Sequence, residues 1–123
     1  MKPEIKEKWL AALRSGDYKQ GRGALKRILN GEVVYCCLGV LSDLYAKETG
    51  VAWVGEGGSS STSFCLKIPH TNYKNYGIPA KAVQEWSGLF EAEGYGGTKG
   101  VIALNDMGFA DFHAIADEIE KTL

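Results

Sequence analysis

Val33-Val34-Tyr35-Cys36-Cys37-Leu38-Gly39-Val40-Leu41-Ser42-Asp43-Leu44-Tyr45 is the longest apolar run in the chain. It begins with two β-branched residues and a tyrosine, which suit a strand, and continues with leucines at helical spacing. A strand that feeds straight into a helix through two cysteines is a packing centre. Leu38, Leu41, Leu44 and Tyr45 give residues 37–49 one apolar face, and Gly50 stops the helix. Just upstream, Asn30-Gly31 is the pair that type I′ hairpins favour. It predicts antiparallel pairing of residues 25–29 with 32–36, although residues 24–29 also suit a helical turn.

Outward from this centre the pattern continues in both directions. Ile5, Trp9, Ala12 and Leu13 form one stripe, which predicts a helix over residues 3–15. Pro3 suits its first turn and Gly16 its C-terminal end. Residues 17–23 read as a polar, glycine-bearing loop. Downstream, residues 51–54 and 64–68 read as strands around the Gly/Ser-rich stretch 55–63. Residues 70–76 read as a polar and aromatic surface excursion. Ile78-Pro79 opens a further helix that Gly88 ends, with Val83 and Trp86 inside. Residues 91–100 form a second glycine-rich loop. Residues 101–104 are a short apolar segment and residues 105–108 a turn. A last helix follows over 111–122, with Asp111 as N-cap and Phe112, Ile115, Ala116 and Ile119 as its stripe. The expectation is an α+β fold, one small domain over residues 1–123, with short antiparallel strands packed against about four helices.

Composition narrows the function classes. The chain has 123 residues, 45% hydrophobic and 24% charged, within the range of a globular protein with its own core. A net charge of -1 argues against a duplex nucleic-acid binder, which needs a basic excess over the domain. No run reaches the roughly 20 apolar residues that span a bilayer, so no membrane partner is expected. Three cysteines, two of them adjacent, and the absence of an apolar leader predict a reduced, cytoplasmic protein.

Several blocks together carry a resemblance. They are Trp9-Leu10-Ala11-Ala12-Leu13-Arg14-Ser15-Gly16, Tyr18-Lys19-Gln20-Gly21-Arg22-Gly23, Cys36-Cys37-Leu38-Gly39-Val40-Leu41-Ser42-Asp43-Leu44-Tyr45 and Leu104-Asn105-Asp106-Met107-Gly108. In this order they resemble a family of small phage and prophage proteins reading ALRSG-x-Y-x-QG, CCLGVLCDLY and LND-x-G. Ser42 departs from that pattern, in which a third cysteine is common. The chain is similar to the Thoeris anti-defence sponges. That resemblance implies a phage protein acting in the host bacterial cytoplasm. It would bind a cyclic ADP-ribose-type signal, or a cyclic oligonucleotide, and sequester it uncleaved as an oligomer.

A site for such a ligand needs phosphate donors, a flat face for a base, and polar groups for ribose hydroxyls. Lys19 and Arg22, with the free N–H groups of Gly21 and Gly23, offer the first. Arg22 is the most accessible of only three arginines by sequence context; the ordinary alternative is a solvated turn. Tyr95, Thr98 and Lys99 in the second glycine-rich loop offer a stacking ring and polar groups. Their order does not match a Walker A motif, so a P-loop nucleotidase is not expected. Asn105 and Asp106 can bond ribose or base edges, and can equally serve a turn or a cap. Neither Cys-x-x-Cys nor His-x-x-x-His spacing occurs, so Cys36 and Cys37 read as packing residues and no metal or cofactor is expected. Asp43 and Asp106 form the one notable carboxylate pair; Asp43 is expected to accept backbone or arginine hydrogen bonds. No catalytic residue is assigned. Trp53, Tyr73 and Tyr76 exceed what a small core needs, which points to a homo-oligomer. The alternative functions are a protein-binding inhibitor or adaptor of a host protein, and a thiol or acid–base hydrolase.

Overall fold

The structure, a computed structural model, describes residues 1–55, 63–71, 74–89, 100–106, 108 and 110–123. Among these, the chain forms α1 (Pro3–Ser15), β1 (Lys26–Leu29), β2 (Glu32–Tyr35), α2 (Cys37–Thr49), β3 (Trp53–Gly55), β4 (Ser63–Leu66), α3 (Lys81–Ser87), α4 (Val101–Asp106) and α5 (Phe112–Thr122). The fold is α+β. The four strands form one antiparallel sheet in the order β2-β1-β4-β3.

The opening stretch behaves as a strand feeding a helix. Asn30 and Gly31 both take positive φ, 52° and 81°, as a type I′ turn requires. That turn sets the register in which Lys26 faces Tyr35 and Ile28 faces Val33. Cys36 then caps α2, its sulfur accepting from Gly39 N at 3.4 Å. Gly39 is required for closeness: a Cβ there would lie 1.6 Å from the Leu25 carbonyl oxygen. The first turn of α2 therefore rests directly on the chain entering β1.

Around α2 the apolar stripes converge. Trp9, Leu38, Leu41, Val40, Ile115 and Ile119 are fully buried, joined by Ile5, Leu13, Val83 and Val101. Each such side chain contributes about 1.5–3 kcal/mol by leaving water. The Trp9 indole also donates to Cys37 O at 2.9 Å, which ties α1 to the start of α2. On the outside, Arg14 bridges α1 to α5 through Asp117 at 2.8 Å and Glu120 at 3.4 Å. These pairs are exposed and add little beside the buried stripe.

The α+β fold of short antiparallel strands packed with helices agrees with expectation, with five helices among the described residues; the corrections are local. Val101–Asp106 is a helix, α4, so Asn105 and Asp106 end a helix and do not form a free turn. α3 starts at Lys81, after an extended Ala80, and Pro79 stays outside it. The helical-turn alternative for residues 24–29 gives way to strand from Lys26 onward. β3 and β4 run over 53–55 and 63–66, displaced from the expected 51–54 and 64–68. Most of the two glycine-rich stretches lies outside the described residues.

Candidate functional site

Residues 20–23 are stitched to Asn105, Asp106 and Ala110, far away in sequence. Gln20 Nε2 donates to Asn105 Oδ1 (2.9 Å) and to Ala110 O (3.1 Å). Asn105 Nδ2 donates to Gly21 O (2.8 Å) and to Asp106 Oδ1 (3.0 Å). Arg22 Nε donates to Asn105 O (3.1 Å), and Gly23 N to Asp106 Oδ1 (3.1 Å). Two local features allow the approach. Gly21 lies against Val34, where a Cβ would meet Val34 Cγ2 at 2.4 Å, and Gly23 turns at a φ of 80°.

The sequence-predicted residues have different standings in this clasp. Asn105 is fully buried with both ends of its amide engaged, so it holds the two segments together and does not face solvent. Asp106 is exposed beside Gly23. Arg22 is the exposed member of the three arginines, while Arg14 and Arg27 are half-buried. Lys19 is exposed and pairs with Glu32. Tyr95, Thr98 and Lys99 lie outside the described residues, as does Tyr73. Trp53 and Tyr76 are half-buried.

Arg27 is a neighbour that sequence reasoning missed. Its Nη1 donates to Arg22 O at 3.2 Å, and its Nε is buried without a partner. Among the described residues neither Arg22 nor Arg27 has a carboxylate ion pair. The Arg27 side chain reaches the Arg22 backbone at the Gly23 turn, and the Arg22 guanidinium lies on the other side of that turn, against Asn105 O and Gly108. Asp106 is the nearby carboxylate, held by Gly23 N, and the Nη groups of exposed Arg22, free among the described residues, suit an oxyanion ligand. Strand alternation was the available signal: it separates Arg27 from Lys26 and turns it toward the Val34 face, which the 20–23 segment covers.

A second polar cluster lies on the opposite face of the sheet. Asp43 Oδ1 accepts from Trp53 Nε1 (2.9 Å); Oδ2 accepts from Tyr18 Oη (2.6 Å) and pairs with Lys47 Nζ at 3.2 Å. Lys47 also donates to Tyr18 Oη (3.0 Å). The partners of Asp43 are thus side chains of a tyrosine, a tryptophan and a lysine, and not the expected backbone or arginine donors. Burial favours the neutral acid, but the three donors and the Lys47 charge outweigh it and hold the carboxyl below its usual range. Burial and the nearby carboxylate push Tyr35 up to about 12. Lys26 Nζ lies 5.7, 5.2 and 5.4 Å from the ring centroids of Tyr35, Trp53 and Phe64. Burial lowers its pKa, Asp43 opposes that shift, and the ring faces, worth about 0.5–1 kcal/mol each at partly exposed sites, also favour the ammonium.

The thiols have little nucleophilic character. Burial pushes Cys36 up to about 11 despite the helix N–H groups that favour its thiolate, and it raises Cys37 further still. Asp43 and Asp106 are committed to separate sets of donors. Among the described residues no group of three or more His, Cys, Asp or Glu side chains could hold a metal ion, and no helix is long and apolar enough to cross a membrane. An open groove of about 630 Å³ runs between residues 68–71 and the start of α3, and neither the clasp residues nor the Asp43 cluster line it.

The whole chain, residues 1–123, matches the family described as a domain of unknown function (DUF8296), and the chain belongs to that family. No curated protein and no solved structure matches it.

Proposed function

We propose that this DUF8296 protein binds a nucleotide-derived, phosphate-bearing signal at the Arg22 corner and sequesters it uncleaved. In this reading it is a phage anti-defence protein of the host bacterial cytoplasm, and its ligand is of the cyclic ADP-ribose type or a cyclic oligonucleotide. The observation that carries the reading is exposed Arg22, held at Nε by Asn105 O beside the Gly23 turn and without a carboxylate ion pair among the described residues, with the Arg27 side chain against its backbone. The clasp supports it by holding Arg22 against the end of α4. Sequestration is favoured over cleavage because the paired thiols are buried and protonated at neutral pH. Calorimetry with cyclic ADP-ribose isomers and cyclic dinucleotides tests it. Micromolar or tighter binding of one of them is expected, and Arg22→Gln should weaken it by about 1.5–3 kcal/mol. No binding of any of them at micromolar concentration removes the reading. The mass of a small molecule that copurifies with the protein would identify the ligand.

A second reading, a protein-binding inhibitor or adaptor, is favoured by one observation. The β1–β2 hairpin exposes Ile28, Leu29 and Val33 at 38%, 44% and 44%. The same surface would serve a homo-oligomer. A stoichiometric host protein retained from lysate, with no nucleotide bound, supports the adaptor; a larger mass of the pure protein in solution supports self-association.

A further inference from the structure

We propose that the sheet face around Lys26 is a docking surface for the base of a free purine nucleotide, whose phosphate Lys26 takes up. The proposal rests on the reading that the ligand of this protein is a nucleotide, but it uses a different surface from Arg22. Lys26 and Arg27 are consecutive in β1 and so point to opposite faces of the sheet.

The register assembles this face from three strands. Lys26 stands opposite Tyr35 in β2 and opposite Phe64 in β4, and Trp53 shares the face from β3. All four side chains are half-buried, and the face runs on to the exposed pair Ile28 and Val33. Asp43 holds the Trp53 indole by its N–H edge, and Lys26 lies over the ring. Both oxygens of Asp43 are occupied, by Trp53, Tyr18 and Lys47, so this carboxylate is not released to pair with Lys26. Lys26 makes no ion pair among the described residues and is held by the rings of Tyr35, Trp53 and Phe64.

A cation held by ring faces gains by moving to a phosphate, and a ring it leaves can stack on a base; Tyr35 and Trp53 meet edge to face, so one base stacks on one of them. Every base offers a π face, and purines offer the larger one. A free nucleotide fits better than a nucleic-acid strand. A strand needs a row of cations along its backbone, whereas the net charge here is -1 and Lys47, in the adjoining Asp43 cluster, is already paired with Asp43.

The test follows the indole N–H resonances of the full chain during titration with AMP, the Trp53 signal being assigned with Trp53→Phe. AMP is expected to move the Trp53 signal further and at lower concentration than ribose 5-phosphate, which offers Lys26 a phosphate but no base to stack. Read at the Trp53 signal, Lys26→Gln should weaken AMP binding about tenfold or more, and Lys26→Arg should restore it. An unmoved Trp53 signal, an equal response to ribose 5-phosphate, or AMP affinity indifferent to Lys26→Gln overturns the proposal. A cyclic signal that binds through Arg22 while AMP leaves Trp53 unmoved removes this inference alone. AMP binding at Trp53, with no Arg22-dependent ligand, removes the Arg22 reading alone.

Discussion

At Asp43, burial and hydrogen bonding pull one carboxyl in opposite directions, and hydrogen bonding wins. The folded-state pKa lies below the ordinary value of 3.8, so the stability Asp43 supplies is complete above that value and is lost as pH falls through the folded-state pKa. Asp43→Asn should therefore lower the melting temperature at pH 7 and flatten its decline below about pH 4, as acid unfolding followed by circular dichroism would record. Asp43→Ala, which strands the Trp53 N–H and the Tyr18 hydroxyl, should cost about 2–3 kcal/mol in urea unfolding. A second residue-scale test concerns the thiols. Cys36 and Cys37 should resist an aromatic disulfide reagent at pH 8 in the native protein and react only on unfolding; fast native labelling would contradict their raised pKa values.

Among the elements, the 20–23 segment and α4 depend on each other through one amide. Asn105→Ala would leave the buried Gly21 carbonyl without the Asn105 N–H and reduce Gln20 Nε2 to its bond with Ala110 O. It should cost about 2–4 kcal/mol and open residues 17–24 to limited proteolysis, and Asn105→Asp should cost at least as much, because a buried carboxylate oxygen would face Gly21 O and Asp106 Oδ1 where the amide now donates. The helices α1, α2 and α5 were legible in the sequence because each carries a full apolar stripe and its own stop signal or cap. Asp111 does cap α5, accepting from Ala114 N at 2.9 Å. The hairpin was legible because its turn needs residues that tolerate positive φ. α4 was not: it spans six residues, four of them consecutive apolars, too short to show a helical period. The closeness of residues 20–23 to 105–106 was not derivable from spacing, since only tertiary packing decides it. Arg27 and Lys26 were missed for a related reason: their settings depend on pairing between β1 and β4, which local pattern does not fix.

On the scale of the molecule, the helices hold the core and the sheet presents its far end to solvent. The α1, α2 and α5 stripes share one buried cluster, whereas the hairpin tip carries exposed Ile28, Leu29 and Val33. Hydrogen exchange should find the slowest amides in the middles of α1, α2 and α5, and the fastest strand amides next to Asn30-Gly31. Comparable protection at both places would mean that the hairpin is covered in solution, as self-association through it requires. The pairing of α1 with α5 also sets a timetable. At a synthesis rate of roughly 5–20 residues per second, α1 leaves the ribosome several seconds before α5 exists. Throughout that interval Ile5, Trp9 and Leu13 lack the helix that shields them, so the nascent chain offers chaperones a sticky N-terminal segment that the finished protein conceals.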